Sequence, residues 1–332
     1  MTPPRIGRRR VLQLALAGSS LPLWSSARAQ APWPTRNISI IAPNAPGGPA
    51  DTLARVVTQS MSKELGTTVT VDNKPGAAGK IGVQTLLRAP RDGHTIAVTS
   101  VTALSALPVF DPNVGYQSPE DFAPLTLAVR TPAVWCVHPS LGIQSLQQLI
   151  ARAKAGPGVL NYASFGTNSS SHLAQEDFFR RLDIQLTHVP YKGESEGVTA
   201  LLGNQVQVMM VSGAAKPHIE AGKLVALATT SQDTWDVLPQ VKPANRSGVL
   251  QLAQYSYEPW LGFSAAAGTP SDVVDRLQRA LSNALRSPEA ASALNKLGYR
   301  VVVGSPQQMR DAIVQDMTGY RVLLRSGRVQ IG

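Results

Sequence analysis

From Asn37 onward, short β-branched runs alternate with stretches in which apolar residues recur every three or four positions. Ile38-Ser39-Ile40-Ile41-Ala42 reads as a buried strand. Leu53, Val56, Val57, Met61 and Leu65 then fall on one face of a helix, which Gly66 ends at the position where helices favour a left-handed residue. Residues 68–71 and 95–99 read as further strands, separated by a turn at 75–79 and a short helix over 81–89. Strand, helix and strand at this spacing predict a parallel sheet with crossover helices.

The theme returns downstream, with strands over 134–137, 159–163, 206–211 and 224–229. Ser145 caps a helix bearing Leu146, Leu149, Ile150 and Ala153, and a second helix covers 171–182. The segment 238–257 holds Pro239, Pro243 and Gly248 and reads as an irregular connector between lobes. The last third reads as helical. Thr269-Pro270 and Ser305-Pro306 each place a capping residue before a proline at the first helical position. The stripes Val273, Val274, Leu277, Leu281 and Met309, Ile313, Met317 follow them.

The first residues follow a different pattern. Arg5, Arg8, Arg9 and Arg10 precede a modest apolar run from Val11 to Trp24, and Ala27-Arg28-Ala29 follows it. A basic start, a short apolar centre and an A-x-A end make a secretory leader over 1–29, cleaved near Ala29, which directs the chain to the periplasm. The run is too short to span a bilayer, which takes roughly 20 apolar residues. Arg8-Arg9 fits the twin-arginine route, and an ordinary Sec leader is the alternative.

Export changes the charge. Of 31 basic residues five lie in the leader, which leaves 26 against 21 acids and a net +5. That mild excess suits an anionic ligand, and the scattered Lys and Arg offer no nucleic-acid footprint. Cys136 is the single cysteine, so no internal disulfide can form. It sits in the apolar run Ala133–Val137 and reads as core. A chain of this length suggests two lobes.

Enzyme signatures fail. Gly76-Ala77-Ala78-Gly79-Lys80 lacks the first glycine of a phosphate loop, and Ile81 stands where Ser or Thr would bind magnesium. The histidines at 94, 138, 172, 188 and 218 never fall at metal-ligand spacing, so neither metal nor cofactor is expected. Ser164 and Ser169 lack the G-x-S-x-G elbow, and Glu194 and Glu196 read as solvated charges in a polar loop.

Two loops do suggest chemistry. Pro46-Gly47-Gly48-Pro49-Ala50-Asp51 joins a strand to a helix, where glycines admit close backbone approach and the helix start offers free N–H groups. Ser164-Phe165-Gly166-Thr167-Asn168-Ser169-Ser170-Ser171-His172 does the same with five hydroxyls and an amide, a set of neutral donors able to surround a carboxylate.

With these loops in view the chain resembles the Bug family, the periplasmic receptors of tripartite tricarboxylate transporters. The matching stretches include Pro46-Gly47-Gly48-Pro49-Ala50-Asp51, Val71-Asp72-Asn73-Lys74-Pro75-Gly76, Asp92-Gly93-His94-Thr95, Asp121-Phe122-Ala123-Pro124 and Leu160-Asn161-Tyr162-Ala163-Ser164. Ser169-Ser170-Ser171-His172-Leu173, His188-Val189-Pro190-Tyr191-Lys192-Gly193, Pro217-His218-Ile219 and Gly268-Thr269-Pro270 continue in family order. The resemblance implies an α/β, two-lobe periplasmic binding protein of type II, a Venus flytrap with two chain crossings at its hinge. Lobe one would hold 30–130 plus 251–332, and lobe two 131–250.

The resemblance also places a ligand between the lobes. It would be touched by Pro46, Gly47, Gly48 and Asp51, and gripped at its carboxylate by Ser164, Phe165, Gly166, Asn168, Ser169, Ser170 and His172. Ser100, Thr102, Tyr191, Lys192 and Ser212 would complete the walls. Relatives often carry an acid near 206–213, whereas this chain has none there. A plain or aromatic carboxylate is therefore expected over a ligand with an ammonium group. The expected role is a monomeric, non-enzymatic receptor that hands a small organic acid to a membrane permease. The alternatives are presentation to a sensor kinase, or an exported serine hydrolase using Ser164 or Ser169 with His172.

Overall fold

The computed structural model describes residues 33–329, and the body of the fold begins at Arg36, apart from the segment that ends at Thr35. The expected leader and its cleavage site lie outside the described residues. In chain order the first elements are Ile38–Ala42 (β1), Pro49–Leu65 (α1), Val69–Asn73 (β2), Lys80–Arg88 (α2), Thr95–Ser100 (β3), Leu107–Phe110 (α3) and Phe122–Arg130 (β4). Val134–Val137 (β5), Leu146–Ala155 (α4), Asn161–Ser164 (β6), Ser170–Leu182 (α5) and Thr187–Pro190 (β7) follow. Next come Glu194–Leu202 (α6), Val208–Val211 (β8), Lys216–Glu220 (α7) and Val225–Thr229 (β9). The last elements are Trp260–Ala266 (β10), Ser271–Arg286 (α8), Pro288–Lys296 (α9), Arg300–Gly304 (β11) and Pro306–Arg325 (α10).

The strands make two sheets, ordered β11-β4-β10-β3-β1-β2 and β7-β6-β8-β5-β9, so this is an α/β fold of two lobes. The chain passes from the first sheet to the second between β4 and β5, and returns between β9 and β10. As the crossover pattern predicts, β1 is parallel to β2 and β3, and β6 is parallel to β7 and β8. β10 runs antiparallel to both β3 and β4.

One sequence expectation is corrected. The last third is not purely helical, since it contributes β10 and β11. β10 reads Trp-Leu-Gly-Phe-Ser-Ala-Ala, buried on both faces and too small and mixed to show a strand period. β11 is interrupted at Val303, which has φ 50°, and its pairing with β4 shifts register there. The segment 238–257 is irregular and lies on the return path from β9 to β10, as expected, and it is packed against the second lobe. Leu252 and Tyr255 are buried with Trp135, Tyr162 and Phe178, while Leu238 packs with Val134 and Trp235.

Local chemistry explains the regular elements. Gly66 closes α1 at φ 67° and donates its N–H to the Ser62 carbonyl, while Leu53, Ala54, Val57, Met61 and Leu65 turn inward. A reciprocal capping box between Ser305 and Gln308 starts α10, a device that typically contributes about 1 kcal/mol. In the second lobe Trp135 stacks on Phe178 with ring centroids 4.2 Å apart. Cys136 is fully buried among Val134, Ala163 and Met209, and burial pushes its thiol well above the usual range. No described helix is long and apolar enough to cross a membrane.

The two crossings lie side by side. Thr131 donates its N–H to the Pro259 carbonyl at 2.8 Å, and Tyr257 donates to Thr230 at 2.8 Å. Thr230 and Ala133 also exchange backbone and hydroxyl bonds. Arg130 reaches the Glu258 carbonyl, and the Glu258 carboxylate accepts from Arg300 at 3.2 Å.

Candidate functional site

β1, β2 and β3 in one sheet and β6, β7 and β8 in the other all end at loops that enter one cavity. In open α/β sheets ligands bind outside the carboxyl ends of the strands, because helix N-termini and free loop amides gather there. The first lobe supplies Asn44 and Pro49 after β1, Ala78 after β2, and Ser100, Val101 and Thr102 after β3. The second supplies Phe165 and Ser169–Ser171 after β6, Glu194 after β7, and Met210–Ser212 at the end of β8. Both crossings enter through Thr131–Ala133 and through Tyr257 and Pro259–Leu261, and Leu297 and Tyr299 complete the wall. The cavity measures about 430 Å³, within the range of small-molecule sites.

Six of the expected residues face this cavity: Ser100, Thr102, Phe165, Ser169, Ser170 and Ser212. Ser169 caps α5, accepting from the His172 N–H at 3.2 Å while its hydroxyl donates to the Gly166 carbonyl at 2.7 Å. That leaves Ser169 little to offer a ligand. The Ser170 hydroxyl has no partner among the described residues, whereas the Ser170 carbonyl accepts from Tyr257 Oη at 3.0 Å. As first residues of a helix, Ser170 and Ser171 present N–H groups with no carbonyl one turn back to receive them. On the facing lobe Ser100 Oγ accepts from the Ala103 N–H and keeps its own proton to donate.

The other ten stand behind the wall. Pro46, Gly47, Gly48 and Asp51 do not line the cavity; the two ends of their loop, Asn44 and Pro49, do. Asp51 is 2% exposed and accepts from the Gly47 N–H at 2.8 Å, from Arg55 at 2.9 Å and from Asn73 at 2.9 Å. The Arg55 guanidinium, with Gly47 and Asn73, outweighs burial and holds this carboxyl at about 2. Asp51 therefore staples its own loop. Gly47 adopts φ 79°, and a side chain at Gly48 would meet Asn44 Cβ at 2.8 Å, so this turn needs its glycines.

Ser164, Gly166, Asn168 and His172 form the support under α5. Ser164 is fully buried and bonded to His188 Nε2 at 2.6 Å. His172 Nδ1 accepts from the Asn168 N–H at 3.0 Å, and its ring lies 4.0 Å from that of His188. Burial, with His188 adding to it, pushes His172 down to about 4, and burial lowers His188 too, so both rings are neutral at ordinary pH. A serine sealed in this stack cannot reach a substrate. Tyr191 donates its N–H to the Ser164 carbonyl, and Lys192 is exposed with its N–H on Glu196.

One residue reverses its expected place. Glu194 is not a solvated loop charge: it opens α6 and lines the cavity, its Oε1 accepting the Ser212 N–H at 2.5 Å. The acid missing from 206–213 thus arrives from the start of α6, after β7, two strands away from β8. Sequence reading also missed Asn44, Thr131, Tyr257, Trp260 and Tyr299. Each comes from a segment whose local pattern signals only a turn, a crossing or a strand start. Trp260 is held by its indole N–H, which donates to Asp316 Oδ2 at 2.8 Å. Among the described residues the lining contains no Lys, Arg or His.

Comparison with known proteins agrees with this geometry. Residues 53–326 match the family described as tripartite tricarboxylate transporter family receptor. A UPF0065 protein of the tcbD-tcbE intergenic region in a Pseudomonas species is 37% identical over 324 residues, 96% of this chain and 94% of its own length. The structure of the periplasmic binding protein BugD superposes with a TM-score of 0.74 at 30% identity, covering 90% of this chain and 99% of that one. The R. palustris protein Rpa4515, solved with adipate, gives 0.76 at 28% identity over 88% and 97%.

Proposed function

The chain belongs to the tripartite tricarboxylate transporter receptor family, and from that premise we propose that its cavity captures a small organic carboxylate and delivers it to a membrane permease. It is a solute-binding receptor of the periplasmic binding protein fold, not an enzyme. The observation that carries the ligand reading is the start of α5, where the Ser170 hydroxyl and two helix N–H groups open into a cavity shared by both lobes. A carboxylate there is stabilised by the helix dipole and neutral donors, and no unpaired cation remains when it leaves. The relative solved with adipate supports an acid as ligand.

The working location is the periplasm, which the family supports, with the leader removed near Ala29. A monomer suffices, because one chain supplies the whole described lining. A sensor kinase reading the closed form is the alternative partner, and an acid that binds the purified chain but is never taken up by cells would favour it.

A thermal-shift screen of the mature chain against organic acids tests the proposal. A ligand at 100 times its Kd adds about 2.7 kcal/mol to the folded state, so a clear rise in Tm with at least one acid is expected. Stabilisation only by sugars or other neutral solutes would overturn it.

A further inference from the structure

Apart from the donors at the start of α5, the cavity wall holds one carboxylate among the described residues, that of Glu194 at the start of α6. Its carboxylate spends one oxygen on the Ser212 N–H. Among the described residues it has no ion-pair partner, and no basic side chain lines the cavity with it. Its field is felt nearby: burial first, and then the charge of Glu194, push the Tyr299 phenol up to about 12. Tyr299 stays protonated on the same wall, and its hydroxyl has no partner among the described residues. Much of the remaining lining is apolar, with Phe165, Met210, Trp260 and Leu261.

We infer that Glu194 selects the ligand: it takes monocarboxylates that carry a hydroxyl or ammonium group on an apolar body, and it rejects dicarboxylates. This rests on the carboxylate reading above and deepens it. A second ligand carboxylate would share a partly desolvated cavity with a fixed negative charge and no cation to offset it. A hydroxyl or ammonium group instead donates to the free Glu194 oxygen, and the phenol of Tyr299 can donate to a ligand hydroxyl. A ligand bearing neither group leaves the acceptor desolvated and unpaired, which costs affinity.

Calorimetric titration of the mature chain with two matched sets of acids tests the inference. One set is benzoate, para-hydroxybenzoate, para-(aminomethyl)benzoate and terephthalate; the other is hexanoate, ω-hydroxyhexanoate, ω-aminohexanoate and adipate. In at least one set the hydroxy or amino acid should bind about tenfold or more tighter than both the unsubstituted acid and the diacid. Glu194→Gln keeps an oxygen for the Ser212 N–H and removes the charge. It should weaken the amino acid by about tenfold and tighten the diacid, narrowing the ratio between them by more than tenfold. A diacid that binds the parent chain as tightly as the hydroxy and amino acids overturns the inference and leaves the carboxylate reading intact. So does an unchanged ratio in the variant. Binding by none of the eight acids sinks both. If the variant does not fold, the ratios in the parent chain decide alone.

Discussion

At the level of single residues, hydroxyls that look equivalent in sequence divide into structural and available groups. Ser169 is consumed by capping α5, and Ser164 by His188 and the Gly166 loop. Ser170 alone of the three keeps a side chain with no partner among the described residues, on the cavity wall. Ser169→Ala should therefore lower stability by about 1 kcal/mol, the usual cost of a lost N-cap. Ser170→Ala should leave stability unchanged and weaken binding of a confirmed acid by about tenfold to a hundredfold, the worth of one hydrogen bond to a charged group. Thermal unfolding and calorimetry on the two variants separate these effects. Equal affinity loss with unchanged stability in both would contradict the division. The sequence could not reveal it, because five hydroxyls in one loop look alike until the helix start fixes which of them points inward.

At the level of elements, what was legible followed a local rule. β1, α1 and the caps of α4 and α10 each carry their own signal in period, Gly66, Ser145 or Ser305. α6 was missed because Gly193 gives it no side-chain cap and its Glu194 and Glu196 look solvated in sequence. The cavity was half legible: the loop after β6 has a recognisable composition, and the family resemblance pointed to Ser100 and Thr102 after β3, whereas Trp260 and Tyr299 are joined to them only by tertiary packing. α10 shows the same non-local effect. Its Asp316 faces Trp260 and Arg130 beside the hinge, and burial, opposed by the Trp260 bond and then by Arg130, raises its carboxyl to about 6. The folded state thus holds this proton between about pH 4 and pH 6, where the unfolded chain has released it. Stability should fall as pH rises through that window, by the sign of the linkage. Asp316→Asn removes the titration and keeps an oxygen for the indole. Denaturant titrations at several pH values should show a flatter profile between pH 4 and pH 6 for this variant than for the parent. An identical slope would contradict the assignment.

At the level of the whole molecule, the two lobes meet through crossings that brace one another. Backbone bonds from Thr131 to Pro259, from Tyr257 to Thr230 and between Thr230 and Ala133 couple the two connections, so rotation is confined to the few residues flanking them. A third tie lies beyond α10, where Arg328 donates to the Ile184 carbonyl of the second lobe at 2.9 Å. The cavity walls, by contrast, come from both lobes: Asn44, Ser100 and Thr102 on one, Phe165, Ser170 and Glu194 on the other. A ligand that touches both walls gains more in the closed form than in the open one, and that difference in affinity is what shifts the population. Saturating a confirmed acid should therefore reduce the radius of gyration of the mature chain in solution scattering. Ser170→Ala and Glu194→Gln, at ligand concentrations that saturate the parent only, should retain the larger value. An unchanged radius in the fully ligated parent would mean that the lobes do not move, and that capture depends on a cavity already formed.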